Sequence, residues 1–427
     1  MSKTITLNHI TKIEGHASLN LKIEKGKVQV CELSSTEGAR YFEGILLQKR
    51  FFEAHEISSR ICGICSCAHT ICASMAIEDA LNMNVSEQTV HLRELITLGE
   101  RIRSHATHLY FLALPDYLGY ESALSMLPKY KTAIVRAIKM TKIGNIMIRV
   151  IGGRDLHPVS NTIGGFLKLP SNDSLKKLKA DLKSIKPDAD ATVKLFLSLK
   201  QRNFDRKVDY MSLTNPNKYA ILTGTLKSET SNFDKKDFHD HINEYRAPYN
   251  TANFLVKDGN PVRVGALARF NNNSSQLSKD ARSFLKKSGL KLPNYNPFNN
   301  NLAQAIELVH CIDYSIKLLN SMEIVPETIS RLRQIPTKAG HGIGAIEVPR
   351  GTLWHEYSID DKGIITAANI ITPTVQNLKA MEDDIRNYVP LVLDMPKDKV
   401  VIEIEKLIRS YDPCFSCSTH FLKVNWK

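Results

Sequence analysis

Hydrophobic and polar positions alternate early in the chain: Ala17, Leu19, Leu21 and Ile23 face one way, Lys25-Gly26 offers a turn, and Val28 and Val30 resume the pattern. A period of two predicts strands, the heart of an N-terminal β segment over about residues 1–35. From Phe42 to about His55 the period becomes helical. A long helix is predicted from Ser86, with Glu87 and Gln88 in its first turn and Leu92, Leu95, Ile96, Ile102, Ala106 and Leu109 on one face. Two more are predicted, from about Lys131 to Val150 and from Asn172 to Leu199, the latter breaking at Pro187. These three form the expected helical centre.

Over about residues 214–270 the texture turns to β-branched residues and turn signals, a β insert whose clearest hairpin is VKDGNPVRV. A polar stretch, NNNSSQLSKD, leads to a helix from Leu302 to Leu319. LWHEYSIDDKGIITAANI predicts a second hairpin turning at Asp361 to Gly363, and a helix follows from about Val375 to Tyr388. No internal repeat, low-complexity tract or flexible linker is visible. The expected class is α+β, mostly α: a central long-helix bundle with N-terminal and peripheral small antiparallel β elements, integrated as one domain over residues 1–427.

Charge changes this picture little. Lys and Arg number 57 against 44 acidic residues, a formal +13, but the lysines are spread along the chain, as in SLKKLKADLKSIK, at the spacing of a solvated helix face. No nucleic-acid partner is expected. The start lacks a basic segment followed by an apolar one, and no apolar run approaches the roughly 18 residues of a spanning helix. A cytoplasmic protein without direct membrane insertion is the expectation.

Cysteine usage changes it more. Of 8 cysteines, Cys62 and Cys65 form one Cys-x-x-Cys pair followed by His69, and Cys414 and Cys417 form another followed by His420. Two intervening residues let both thiolates turn toward one metal. A structural zinc site tying the chain ends together is the plain alternative. Zinc ribbons and fingers, however, keep their pairs within about 15 to 20 residues, and zinc would leave Glu14, Arg60 and Asp412 unexplained. A thioredoxin-like pair lacks its βαβ setting. Soft thiolates suit nickel, iron, copper(I) or zinc, so spacing leaves the metal open.

RICGICSCAH matches the Arg-x-Cys-Gly-x-Cys-x-x-x-His motif, and DPCFSCSTH the Asp-Pro-Cys-x-x-Cys-x-x-His motif, of nickel-iron hydrogenase large subunits. TKIEGHASL, ARYFEGI, SHATHLYFLALPDY, IEVPRGTLWHEY and ITPTVQN resemble further segments of that family, in its order and over nearly the whole length. Chain length, LPDYLGY and the short tail most resemble the alpha subunits of cytoplasmic NAD(P)-linked hydrogenases, also called sulfhydrogenases. The resemblance implies the large-subunit fold and the reversible heterolytic cleavage of H2.

It also implies a ligand set. Cys62 and Cys414 would be terminal nickel ligands, and Cys65 and Cys417 would bridge to an iron carrying CO and CN. Cys414 would be the base and Glu14 the group that carries the proton away. Arg350 would lie over the iron side, where its fixed charge and fork of donors suit the role. Asp116 and Asp412 would support that arginine, Thr374 would bond cyanide, and His69 would donate to a bridging sulfur. Glu43, the backbone carbonyl of Leu378 and His420 would hold magnesium.

Each has a plainer reading: Glu14 as a surface carboxylate, Arg350 as an ion-pair partner, Thr374 and Asp412 as turn residues, His69 as a satisfied core histidine. Cys31, Cys67, Cys72 and Cys311 match no ligand position and read as small buried residues, Cys67 standing next to the cluster. No further cysteine set or dinucleotide fingerprint is visible, so electrons would leave through an iron-sulfur small subunit toward flavin- and NAD(P)-binding diaphorase subunits. The C-terminal ligand segment spans 411–420. The tail at 421–427, FLKVNWK, is expected to be removed by a maturation protease, because its lysines would be costly to bury. The rival expectation is a non-catalytic, zinc-holding structural subunit of a larger redox complex.

Overall fold

Four long helices make the centre of the computed structural model, which describes residues 2–327, 335 and 337–419. They are α2 (Glu87–Thr107), α3 (Leu127–Gly152), α4 (Asn172–Ser198) and α5 (Asn300–Ser321), preceded by the shorter α1 (Ser66–Ala80). Ser86 caps α2 as expected, its hydroxyl accepting from the Thr89 N–H at 3.0 Å. Helix α2 packs on α3 and α5, and α4 closes the bundle against both. The centre is thus four helices, not three, with α5 sharing fully in the core.

Pro187 does not break α4. The apolar stripe Leu175, Leu178, Leu182, Ile185, Ala189, Val193 and Phe196 stays in phase across it and is buried throughout. Burial of that stripe outweighs the roughly 3 kcal/mol that an interior proline costs.

At the N-terminus, β1 (Ser2–Leu7), β2 (Ala17–Glu24) and β3 (Lys27–Ser35) form an antiparallel sheet in sequence order. Its inner face, including Leu19, Leu21 and Leu33, packs with Leu378, Met381 and Ile385 of α6 (Pro373–Tyr388) and Ile404 and Leu407 of α7 (Lys397–Ser410). A second antiparallel sheet joins β4 (Gly340–Val348), β5 (Gly351–Ile359) and β6 (Ile365–Ile371) and lies against α1. The β5–β6 hairpin is the predicted one. Neither α1 nor β4 was legible: α1 is buried on nearly every face and so lacks an amphipathic period, and GHGIG in β4 reads as loop.

Two further expectations change. The helix expected from Phe42 to about His55 is split into Phe42–Leu46, a tight turn at Phe51–Glu53, and Ala54–Ser58. Between them the Gln48 N–H donates to Ile365 O at 3.0 Å and Lys49 O accepts from the Ile365 N–H at 2.8 Å, so this backbone is satisfied by the β6 edge instead. VKDGNPVRV does turn at Asp258-Gly259, both with positive φ, but its arms separate. Asn253–Lys257 pairs antiparallel with Ile242–Arg246, while Val262–Arg263 pairs parallel with Asp209–Tyr210. Among the described residues no helix is long and apolar enough to cross a membrane. His420 and the tail at 421–427 lie outside the described residues.

Candidate metal centre

Two chain segments from opposite ends meet under the helical bundle. Cys62 follows the tight turn Ser59–Ile61, and Cys65 stands at the N-terminus of α1, its N–H donating to Cys62 Sγ at 3.4 Å. Cys414 follows α7 through Asp412-Pro413, with Asp412 at φ 52, a conformation Asp tolerates better than most residues. Cys417 lies in the turn Ser416–Ser418. The four sulfurs all lie within 4.8 Å of one another, and all four residues are buried. Cys62 Sγ is 3.6 Å and Cys417 Sγ 3.0 Å from Cys414 Sγ. Among the described residues no other group of three or more such side chains converges.

The electrostatics call for a cation. Hydrogen bonds from neighbouring thiols, Cys414 foremost, hold Cys62 and Cys65 below the ordinary thiol range. Burial pushes Cys414 and Cys417 well above it. Four buried sulfurs this close cannot all ionise unaided, and a bound metal removes the conflict. The donor set of converging thiolates therefore fits the soft metal that the spacing suggests.

Glu14 reaches the cluster from the loop before β2. It forms a parallel bridge with Cys414, its carbonyl accepting from the Phe415 N–H at 2.9 Å. Its Oε2 lies 2.8 Å from Cys414 Sγ and accepts from the Ser416 N–H at 3.3 Å, and Ser416 Oγ donates to Oε1. Gly15, at φ +79, makes this approach possible, since a Cβ there would stand 2.8 Å from Ser416 N.

Arg350 follows β4 and is 4% exposed. It donates to Cys65 Sγ at 3.4 Å, to the Asp412 carbonyl at 2.7 Å and to Asp412 Oδ1 at 2.9 Å. Burial alone would lower its pKa, but Asp412 and the cysteines hold it well above the usual value. Thr374, in the first turn of α6, accepts from the Cys414 N–H at 2.9 Å. Asp116 binds Lys12 and Arg409, and connects to Asp412 only indirectly, through the Arg409 backbone and two side chains: His108 Nε2 donates to Arg409 O, His108 Nδ1 meets Gln304, and Gln304 donates to Asp412 Oδ2 at 3.0 Å.

His69 lies one turn into α1, its Nδ1 3.0 Å from His355 Nε2, and His355 continues to Tyr357 and Ser58. Glu43 accepts from the Ile370 N–H at 2.8 Å, and burial raises it to about 8. It borders a cavity of about 420 Å³. Leu378 is fully buried in α6. Arg60 is exposed. Cys31, Cys67, Cys72 and Cys311 are buried with their thiols pushed upward by desolvation, as inert small residues are.

Sequence reasoning missed the polar face of α2. Glu100 accepts from the Cys67 N–H at 2.9 Å, Arg103 donates to the carbonyls of Ile64 and Asp155, and Arg101 donates to Glu347 O at 2.7 Å. The signal available was an unusual density of charge and histidine between Arg93 and His108 on a helix already apolar on one face. Ser416 carried no signal of its own.

The model of a family described as nickel-dependent hydrogenase matches residues 40–145 and 202–420. The chain is 35% identical over 423 residues to sulfhydrogenase 1 subunit alpha of Pyrococcus furiosus, covering 98% of each. It is 26% identical over 467 residues to NAD-reducing hydrogenase HoxS subunit beta of Cupriavidus necator, covering 99% of this chain and 96% of that one. Among solved structures it resembles an NAD+-reducing [NiFe]-hydrogenase in the H2-reduced state, with TM-score 0.88 and 22% identity over 98% of this chain and 99% of that one.

Proposed function

The chain belongs to the nickel-dependent hydrogenases, as a large, catalytic subunit, and on that premise we propose that its four cysteines hold a nickel-iron centre at which Glu14, Cys414 and Arg350 take part in reversible H2 cleavage. Cys62 and Cys414 would bind nickel alone, and Cys65 and Cys417 would also bind iron carrying CO and CN. When bound, the metals supply Lewis acidity and electron-accepting capacity, which so weak an acid as H2 requires.

The chain's own residues then handle the proton. Cys414 Sγ receives it, and Glu14 Oε2, 2.8 Å away, takes it onward. Ser416, donating to both Glu14 oxygens, keeps the carboxylate aimed. Arg350, fixed by Asp412, presents permanent positive charge beside Cys65 and balances the thiolates. Thr374 holds the Cys414 backbone, His69 would donate to a bridging sulfur, and Asp116 holds Lys12 and Arg409. Glu43, the Leu378 carbonyl and His420 would bind magnesium, and the tail would leave by proteolysis after metal insertion.

Electrons would pass to an iron-sulfur partner subunit, since no second cysteine cluster occurs among the described residues. From there a flavin subunit would deliver them to NAD(P), an assignment supported by relatives named as sulfhydrogenase and NAD-reducing hydrogenase subunits. The enzyme would work in the cytoplasm as one integrated unit.

The single observation carrying this reading is a titratable carboxylate in contact with one of four clustered, buried thiols. Metal analysis of the purified, matured complex should find nickel and iron in about equal amounts, with infrared absorption from iron-bound CO and CN. Zinc in their place, without those bands, would return the chain to a structural role.

A further inference from the structure

Arg350 sits in the turn between β4 and β5, directly after the ladder's last pair, Val348 with Gly351. Arg269, from the helix Ala266–Asn273 and fully buried, reaches that turn. It donates to Val348 O at 2.9 Å and to Pro349 O at 2.9 Å, the two residues before Arg350. Its other donors go to Glu307 at 2.6 and 2.7 Å and to Glu347 at 3.0 Å. All five guanidinium hydrogens therefore have an acceptor, which no other side chain could match.

The anchors are themselves fixed. Glu307 also meets His105 Nε2 at 2.7 Å and accepts from Tyr219 OH at 2.6 Å. Glu347 Oε1 accepts from the Leu213 N–H at 2.8 Å and Thr352 Oγ1 at 2.7 Å, while Arg101 holds the Glu347 carbonyl. Two buried arginines thus capture three successive carbonyls, at 347, 348 and 349. Well-packed apolar residues commonly stabilise a core as well as or better than such an ion network, so stability alone does not account for it. What the network does fix is the height of one backbone turn.

We propose that Arg269 is a positioning residue for Arg350: by gripping the Val348 and Pro349 carbonyls it sets where the Arg350 guanidinium meets Cys65 and Asp412. The inference rests on Arg350 being part of the hydrogen-activating site. Lysine at 269 keeps the charge but has three donors in place of five and no planar fork. The turn then loses at least one carbonyl anchor. A displacement of about 1 Å at a reacting centre costs on the order of 100-fold in rate.

The test compares Arg269→Lys with Arg93→Lys in the matured complex. Arg93 is an equally buried control, bound to Glu78 at 2.6 and 2.7 Å and to Asn161 and Thr162. In Arg269→Lys, a structure should show the Arg350 guanidinium displaced from Cys65 Sγ, beyond hydrogen-bond reach. The CO and CN bands should move, turnover should fall about 100-fold, and nickel content should hold. Arg93→Lys should lower the melting temperature without moving Arg350 or the bands. Should Arg269→Lys fail to fold, Glu307→Gln, which leaves Arg269 in place and weakens its anchor, should give a smaller shift in the same direction. Arg350 unmoved with wild-type bands in Arg269→Lys, or an equal displacement in Arg93→Lys, would overturn the proposal. Were the wild-type complex to lack CO and CN bands, the hydrogenase reading would fall, and the position of Arg350 in the variant structure would still decide this one.

Discussion

Three donors surround the Glu14 carboxylate: Cys414 Sγ, the Ser416 N–H and Ser416 Oγ. An ionised carboxylate accepts from all three, whereas a carboxamide must turn its own NH2 toward one of them. Glu14→Gln therefore keeps the size but loses both the proton acceptor and one hydrogen bond. Nickel and iron should be retained while H2-dependent dye reduction falls by about 10²–10⁴, the usual worth of a positioned acid or base. Full turnover in a metal-loaded Glu14→Gln enzyme would move the relay to another group, with Arg350 first to examine. The residues of this centre split by legibility. Cysteines at fixed spacing announce themselves because few structural roles require that pattern, but Ser416 and Arg269 act only through what folding places beside them.

Helix α2 is the element on which the site depends most. One face builds the apolar core, while its polar side chains reach three separate segments: Glu100 and Arg103 the backbone of Cys67 and Ile64 beside the first cysteine pair, Arg101 the turn before Arg350, and His108, just past its end, the carbonyl of Arg409. Its position against α3 is set where Gly99 and Gly144 cross. A Cβ at Gly144 would stand 2.7 Å from Gly99 O and 2.9 Å from Arg103 N, both backbone atoms that cannot rotate away. Gly144→Ala gains about 1 kcal/mol of helix propensity but forces the helices apart, at about 1–3 kcal/mol or more. The net effect should be destabilising, read as a lower thermal midpoint, with turnover reduced because Arg103 moves too. A stabilised Gly144→Ala with full activity would mean that the helices separate freely. Pattern reading found this helix and its cap, yet saw only the apolar stripe, because periodicity reports which face is buried and not what a buried polar face binds.

Across the whole molecule, burial of imidazoles makes stability pH-dependent. Desolvation lowers His55 and His105 to about 4, with the nearby Arg93 adding to the effect at His55. An unfolded histidine titrates near 6.5. Between those values the unfolded chain binds protons that the folded chain refuses, so the contribution of these histidines is complete above about pH 6.5 and is lost as pH falls toward 4, by up to about 3 kcal/mol per imidazole. Glu382 works oppositely: burial raises it to about 7, so its contribution is lost as pH rises from about 4.5 to 7. Urea midpoints measured between pH 6.5 and 4.5 should therefore depend on His55, and His55→Gln should flatten the acid side of the curve. An unchanged slope in that variant would mean that His55 is already charged in the folded state.

The sequence alone determined the parts whose information is local. The N-terminal strands, the start of α2 at Ser86, the β5–β6 hairpin and the two Cys-x-x-Cys pairs depend on spacing between near neighbours, and spacing is visible in one dimension. Tertiary structure decided the rest. Pro187 stays helical because neighbouring helices hold its stripe in the core, and the Phe42–His55 segment breaks because a strand edge takes its backbone hydrogen bonds. The arms of VKDGNPVRV part because other strands compete for them. The chain ends meet because the N-terminal sheet packs on α6 and α7, which brings Glu14 beside Cys414, and the four sulfurs form one site because the start of α1 meets the segment after α7. A contact between residues 14 and 414 is set by the summed packing of everything between them, and no local pattern encodes that sum.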